Sequence, residues 1–207
     1  VIVAAFGANL AAGTATAAAT PLPTMLGGAS IHVRDSGGFD RPAPLFFVSP
    51  AQVNLQIPPG TAPGPAAVTI SNGRDVSTGT VLIVPVAPGL FAADASGRGL
   101  AAATALRVKG DGTQSYEEVV RYDPGWGKYV AAPVDLGAPG EQVFLVLYGT
   151  GLRFLSGLSA VKALIGGFVG LDQVNVLLPR DLIGRGEVDI LVAIDGQPAN
   201  PVRVNIR

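Results

Sequence analysis

Apolar residues along this chain alternate with polar ones over short stretches far more often than they recur at helical spacing. Val188, Ile190, Val192 and Ile194 fall on one face of an extended segment. Val202, Val204 and Ile206 alternate with Arg203, Asn205 and Arg207, the pattern of a half-buried strand. Ile31 and Val33 are set to face a core while His32 and Arg34 face solvent. Asn72-Gly73 and Asp195-Gly196 read as hairpin dipeptides, because these residues tolerate the positive φ of tight turns. Two further turn signals, Lys109-Gly110-Asp111-Gly112 and Asp123-Pro124-Gly125, predict a three-strand meander within residues 101–135. Residues 11–20 fit neither period. Alanine favours helix there, but Gly13 and three threonines argue for a loop with at most one helical turn.

The chain also repeats itself. Phe47-Val48-Ser49-Pro50-Ala51-Gln52-Val53-Asn54-Leu55-Gln56-Ile57-Pro58 matches Phe168-Val169-Gly170-Leu171-Asp172-Gln173-Val174-Asn175-Val176-Leu177-Leu178-Pro179, with six of twelve positions identical at an offset of 121. Downstream, each copy continues with a glycine, an alternating strand, a turn and a final strand: Gly64, 66–71, Asn72-Gly73 and 80–84, then Gly186, 187–194, Asp195-Gly196 and 202–206. Upstream, an apolar run leads into Phe6-Gly7-Ala8-Asn9-Leu10 in one copy and Tyr148-Gly149-Thr150-Gly151-Leu152 in the other. Duplication places the first repeat at residues 1–90 and the meander plus second repeat at residues 91–207. Many short strands per copy, with turns every 8–12 residues, predict an all-β protein of two tandem immunoglobulin-like β-sandwich domains.

Composition narrows the function classes. Of 207 residues 14% are charged, against about 25% in an ordinary soluble domain. The net charge is −1, with only three lysines (Lys109, Lys128, Lys162), so a basic nucleic-acid footprint is missing. Hydrophobic content of 48% excludes disorder, while 28 glycines and 17 prolines exclude a helical bundle. No stretch reaches the ~18 apolar residues of a membrane span, and residues 81–93 are broken by Pro85, Pro88 and Gly89. Without an initiating Met or a signal peptide, the chain reads as a processed or excised piece of a longer product. Having no Cys, it has neither disulfide staples nor thiolate metal sites.

Several segments carry a family resemblance. The strand leading into Tyr148-Gly149-Thr150-Gly151-Leu152 resembles the opening of TIG-type immunoglobulin-like domains. Pro21-Leu22-Pro23-Thr24-Met25-Leu26-Gly27-Gly28, Pro44-Leu45-Phe46-Phe47-Val48-Ser49-Pro50-Ala51-Gln52-Val53-Asn54, Ala87-Pro88-Gly89-Leu90-Phe91 and Gly170-Leu171-Asp172-Gln173-Val174-Asn175 resemble the Solibacter-type uncharacterised C-terminal domain family of acidobacterial secreted proteins. Two departures stand out: the chain starts directly at its first strand, and the second copy is shortened between Leu152 and Phe168. The resemblance implies an extracellular or cell-surface module, and it brings no catalytic residues with it.

The candidate chemistry is sparse. His32 is the only imidazole, on the solvent side of its strand, and Ser49 and Ser156 lie in no nucleophile-elbow context. Asp94-Ala95-Ser96-Gly97-Arg98-Gly99 and Gly110-Asp111-Gly112 lack the spaced carboxylates of a calcium loop and read as turns. Glu117 and Glu118 are adjacent, so a strand points them to opposite faces. No catalytic, cofactor or metal residues are assigned, and the protein reads as a non-enzyme. Gln52/Asn54 and Gln173/Asn175 each present two amides on one face, either to read sugar hydroxyls or, as duplication favours, to satisfy backbone groups of an adjoining loop. Tyr116, Tyr122, Trp126 and Tyr129 crowd the meander, either as a stacking platform for a sugar ring or as a satellite core pinning the meander down. Val1, Ile2, Val3, Ala4, Ala5 and Phe6 form an apolar run with no charge or proline to guard an edge strand, which suggests burial on both faces and either exchange between subunits or pairing within its own sandwich.

These features predict an extracellular structural or adhesion protein, self-assembling through strand edges into a homopolymer or filament or contacting neighbouring surface proteins. The alternative is a carbohydrate-binding module detached from a secreted enzyme. Solvent-facing Trp126 and Tyr129 rings distinguish the second from the first. Neither reading involves nucleic acid or membrane insertion.

Overall fold

The computed structural model describes residues 1–152, 162–164 and 170–207. Phe168 and Val169 of the repeat, and Ser156, lie outside the described residues. The described residues form several antiparallel sheets and contain no α-helix. The chain divides into two compact units, Val1–Pro85 and Val86–Arg207.

In the first unit the strands are β1 (Ile2–Phe6), β2 (Ala15–Thr16), β3 (Met25–Leu26), β4 (Ala29–Arg34), β5 (Asp40–Pro42), β6 (Leu45–Val48), β7 (Gln52–Gln56), β8 (Gly64–Ser71) and β9 (Val76–Ile83). One sheet runs β1-β7-β6-β2; the other runs β3-β4-β8-β9, with β5 alongside β4. Alternation explains what holds them together. Ile31 and Val33 of β4 and Val68 and Ile70 of β8 join Leu45, Val48, Val53 and Leu55 of β6 and β7 in one buried cluster. Each fully buried side chain of this size stabilises by about 1.5–3 kcal/mol. His32 and Arg34 point outward, as the alternation predicts.

Residues 11–20 form the expected loop, interrupted only by the two-residue β2. Two expectations change here. The strand expected at residues 80–84 starts earlier, at Val76, because Gly73-Arg74 forms a two-residue loop: the Asn72 N–H donates to the Asp75 carbonyl at 3.2 Å, and Gly73 sits at φ 86°. The apolar N-terminal run is not buried on both faces. β1 pairs along its whole length with β7 of its own unit, Phe6 opposite Gln52, and Phe6 remains 74% exposed. Within the single chain, β1 pairs on one side with β7 and forms the end of its sheet.

The second unit contains β10 (Gly89–Leu90), β11 (Ala103–Val108), β12 (Gln114–Glu118), β13 (Val120–Asp123), β14 (Lys128–Ala131), β15 (Gln142–Thr150), β16 (Lys162–Leu164), β17 (Asp172–Leu177), β18 (Gly186–Ile190), β19 (Ala193–Ile194), β20 (Gln197–Pro198) and β21 (Val202–Ile206). Its main sheet runs β12-β11-β15-β17-β16, with β10 on β15. That pairing draws residues 86–90, which the repeat had assigned to the first copy, into the second unit. The expected meander is split: β11 and β12 enter the main sheet, whereas β13 and β14 form a separate ribbon. The segment expected as one strand over 187–194 breaks into β18 and β19, yet Val188, Ile190, Val192 and Ile194 all pack on one core. Asp195 and Gly196 both take positive φ, 50° and 77°, in the turn between β19 and β20.

The duplication is visible in the register. Phe6 lies opposite Gln52 and Ala4 opposite Asn54; Tyr148 lies opposite Gln173 and Val146 opposite Asn175. Leu10 and Leu152, which end the two aromatic-Gly motifs, are both buried.

Candidate binding surface

The β13–β14 ribbon presents the aromatic residues singled out above. Tyr122 and Tyr129 face each other across the ladder, their rings edge to face with centroids 5.4 Å apart. At the turn, the Asp123 carboxylate accepts hydrogen bonds from the N–H groups of Gly125 and Trp126, at 2.9 and 3.2 Å. This side-chain turn fixes the tip of the ribbon and lifts the indole clear of the sheet. The Lys128 ammonium lies 4.7 Å from the Trp126 ring centroid, a cation–π contact on one indole face. Tyr122, Trp126 and Tyr129 are 55%, 72% and 42% exposed. A satellite core is therefore the wrong description. Tyr116 is exposed as well, but it stands on β12 opposite Leu106, in another sheet.

The amide pairs behave alike in both units. Gln52 Nε2 donates to Asn54 Oδ1 at 2.8 Å, and Gln173 Nε2 donates to Asn175 Oδ1 at 2.7 Å. All four residues are half-buried, so each pair forms a rung along the outward face of its strand. The partner of each glutamine is its own asparagine, not a loop backbone group.

Elsewhere the polar groups are engaged in holding turns. His32 Nδ1 lies 2.8 Å from Asp40 Oδ2 on an open sheet face. The Asp94 carboxylate takes the N–H and hydroxyl of Ser96, which hold its pKa below the usual value, the hydroxyl first; Asp111 is lowered likewise, chiefly by the Thr113 N–H. Among the described residues no group of three or more His, Asp or Glu is arranged to hold a metal ion. No helix among them is long and apolar enough to cross a membrane.

Two ion clusters escaped the sequence reading. Asp35, buried, accepts hydrogen bonds from the N–H groups of Gly37, Phe39 and Ala62 at 3.0 Å each, and pairs with Arg41. The Ala62 N–H does most to push its pKa down, with Phe39 and Arg41 helping and burial opposing. Its signal was the Asp35-Ser36-Gly37-Gly38 turn sequence, which marks a bend but not a buried hub. Arg107, on the core side of β11, is 8% exposed and binds Glu117, Glu141 (2.8 Å) and the Asp135 carbonyl (2.6 Å). Glu117, first among these, raises the arginine's pKa further. Arg180 donates to the carbonyls of Leu136, Gly137 and Ala138, so two arginines clamp residues 135–141. These clusters are structural. The β13–β14 ribbon sets Tyr122, Trp126 and Tyr129 toward solvent. No family model, curated protein or solved structure matches the chain, so the kinship suggested by its motifs rests on those residues alone.

Proposed function

We propose that the chain is a non-catalytic extracellular module of two tandem immunoglobulin-like sandwiches that holds a carbohydrate against the β13–β14 ribbon. One observation carries this reading: Trp126, Tyr122 and Tyr129 face solvent rather than a core. Aromatic rings of this size are normally withdrawn from water, and exposed rings offer a face for the C–H side of a sugar ring. One indole face is occupied by Lys128, so the opposite face and the tyrosine pair supply the stacking surface. The Solibacter-type resemblance of the motifs supports the extracellular placement, and on this reading the module belongs to a larger secreted or surface protein.

The test is retention in native gels containing soluble polysaccharides. Trp126→Ala and Tyr129→Ala are expected to weaken retention about tenfold each, the loss of ~1.4 kcal/mol of stacking. Their melting temperatures should stay at the parent value, since neither ring is buried. Retention unchanged by both substitutions would remove the reading. The other expectation, self-assembly through strand edges, draws further support from a different strand.

A further inference from the structure

β9 is an eight-residue strand at the end of its sheet, and seven of its residues are exposed. The hydrogen bond from the Asn72 N–H to the Asp75 carbonyl sets the phase of the β8–β9 ladder. The register pairs Ile70 with Ser77, Val68 with Gly79, Ala66 with Val81 and Gly64 with Ile83, so those residues bond inward to β8. Val76, Thr78, Thr80 and Leu82 therefore turn their N–H and C=O groups outward, and no described residue pairs with them. Natural edges are blunted by charge, proline or brevity. β5 carries Asp40, Arg41 and Pro42, β12 carries Glu117 and Glu118, and β2 and β3 are two residues long. β9 has none of these guards.

The sequence of the strand is close to a palindrome: Val76-Ser77-Thr78-Gly79-Thr80-Val81-Leu82 reads similarly in both directions about Gly79. We propose that β9 is a dimerisation edge that pairs antiparallel with β9 of a second copy of this chain, on a two-fold axis through Gly79. In that register Thr78 lies opposite Thr80 of the second copy and Val76 opposite Leu82. Every outward N–H then meets an outward C=O. Val76 and Leu82, 67% and 69% exposed in the single chain, cover each other. The strand brings no charge to repel its copy, and a two-fold contact closes after one partner. The dimer is independent of the aromatic ribbon, which lies in the other unit.

The symmetry provides the test, because the chain has no cysteine of its own. Gly79 faces its own copy across the axis as a non-hydrogen-bonded pair, about 4.5 Å between Cα atoms, within disulfide reach. A Cβ at Gly79 meets nothing within 4 Å. Gly79→Cys is expected to cross-link into a covalent dimer under mild oxidation. Val76→Cys, about 20 Å from its own copy in this register, is expected to stay uncross-linked. In sedimentation runs the parent chain should dimerise with rising concentration. Thr80→Pro removes only an outward N–H, and the double variant Thr78→Lys, Thr80→Lys adds like charges; each should weaken dimerisation at least tenfold with the dilute-solution melt unchanged. A parent chain monomeric at every concentration, or Val76→Cys cross-linking as readily as Gly79→Cys, would overturn the proposal.

Discussion

Arg107 shows how one side chain can hold a loop in place. It follows Ala103 and Ala105 on the buried side of β11, where a guanidinium is tolerated only because Glu117, Glu141 and the Asp135 carbonyl surround it. Both glutamates retain some contact with water, so the expected cost of Arg107→Ala is about 2 kcal/mol rather than the 3–5 of a fully buried pair. Urea unfolding measures this, and Arg107→Met should recover part of the loss. Asp35 and Asp135 make a pH prediction with a definite sign. Their folded pKa values lie below 3.8, Asp35 held down chiefly by the Ala62 N–H and Asp135 by the Gly137 N–H. Such groups stabilise fully above the unfolded value, and the stabilisation fades as pH falls through the lowered folded value. Melting temperature should therefore hold level down to about pH 4 and then drop, and Asp35→Asn should flatten part of that drop. The amide rungs are half-exposed, so Asn54→Ala and Asn175→Ala should each cost less than about 1 kcal/mol in the same assay. Neither ion cluster was legible in the chain, because burial of Arg107 depends on residues 135–141 folding over it and burial of Asp35 on Ala62, 27 residues away.

The strands themselves were legible wherever one face is buried and one is wet. β4 and β21 follow the alternation residue by residue, Val202, Val204 and Ile206 inside and Arg203 outside. β9 was found only in part, since a strand exposed on both faces leaves no alternation to read. The aromatic-Gly motifs show how a local sequence answers to its neighbours. Gly151, at φ 80°, and Asn9, at φ 55°, occupy equivalent left-handed positions in the two copies. A Cβ at Gly151 would collide with the Ala87 carbonyl oxygen, and one at Gly149 with the Gly89 oxygen, because β10 and the residues before it cross at that point. Asparagine tolerates the backbone angle but not that collision. Gly151→Asn should thus destabilise by about 1–3 kcal/mol, while Asn9→Gly should stay within about 0.5 kcal/mol of the parent in thermal melts.

At the scale of the whole chain, two buried clusters share no residue. Each unit has the makings of an independent folding unit, and fragments 1–85 and 86–207 expressed separately should each unfold cooperatively; a fragment lacking a cooperative transition would contradict this. The shared register has a consequence for how such a chain reaches its native state. β1 and β15 both accept a strand carrying Gln-Val-Asn in the same phase, so an unfolded chain holds two partners for each and faces a sorting problem. Asp172 marks the difference between them. Its carboxylate accepts the Leu152 N–H at 2.8 Å, whereas in the first unit the Leu10 N–H goes to the Pro50 carbonyl at 3.0 Å, beside Ala51. If β15 took β7 in place of β17, the Leu152 N–H would exchange a charged acceptor for the neutral Pro50 carbonyl, so the Asp172 carboxylate weights the choice of partner toward β17.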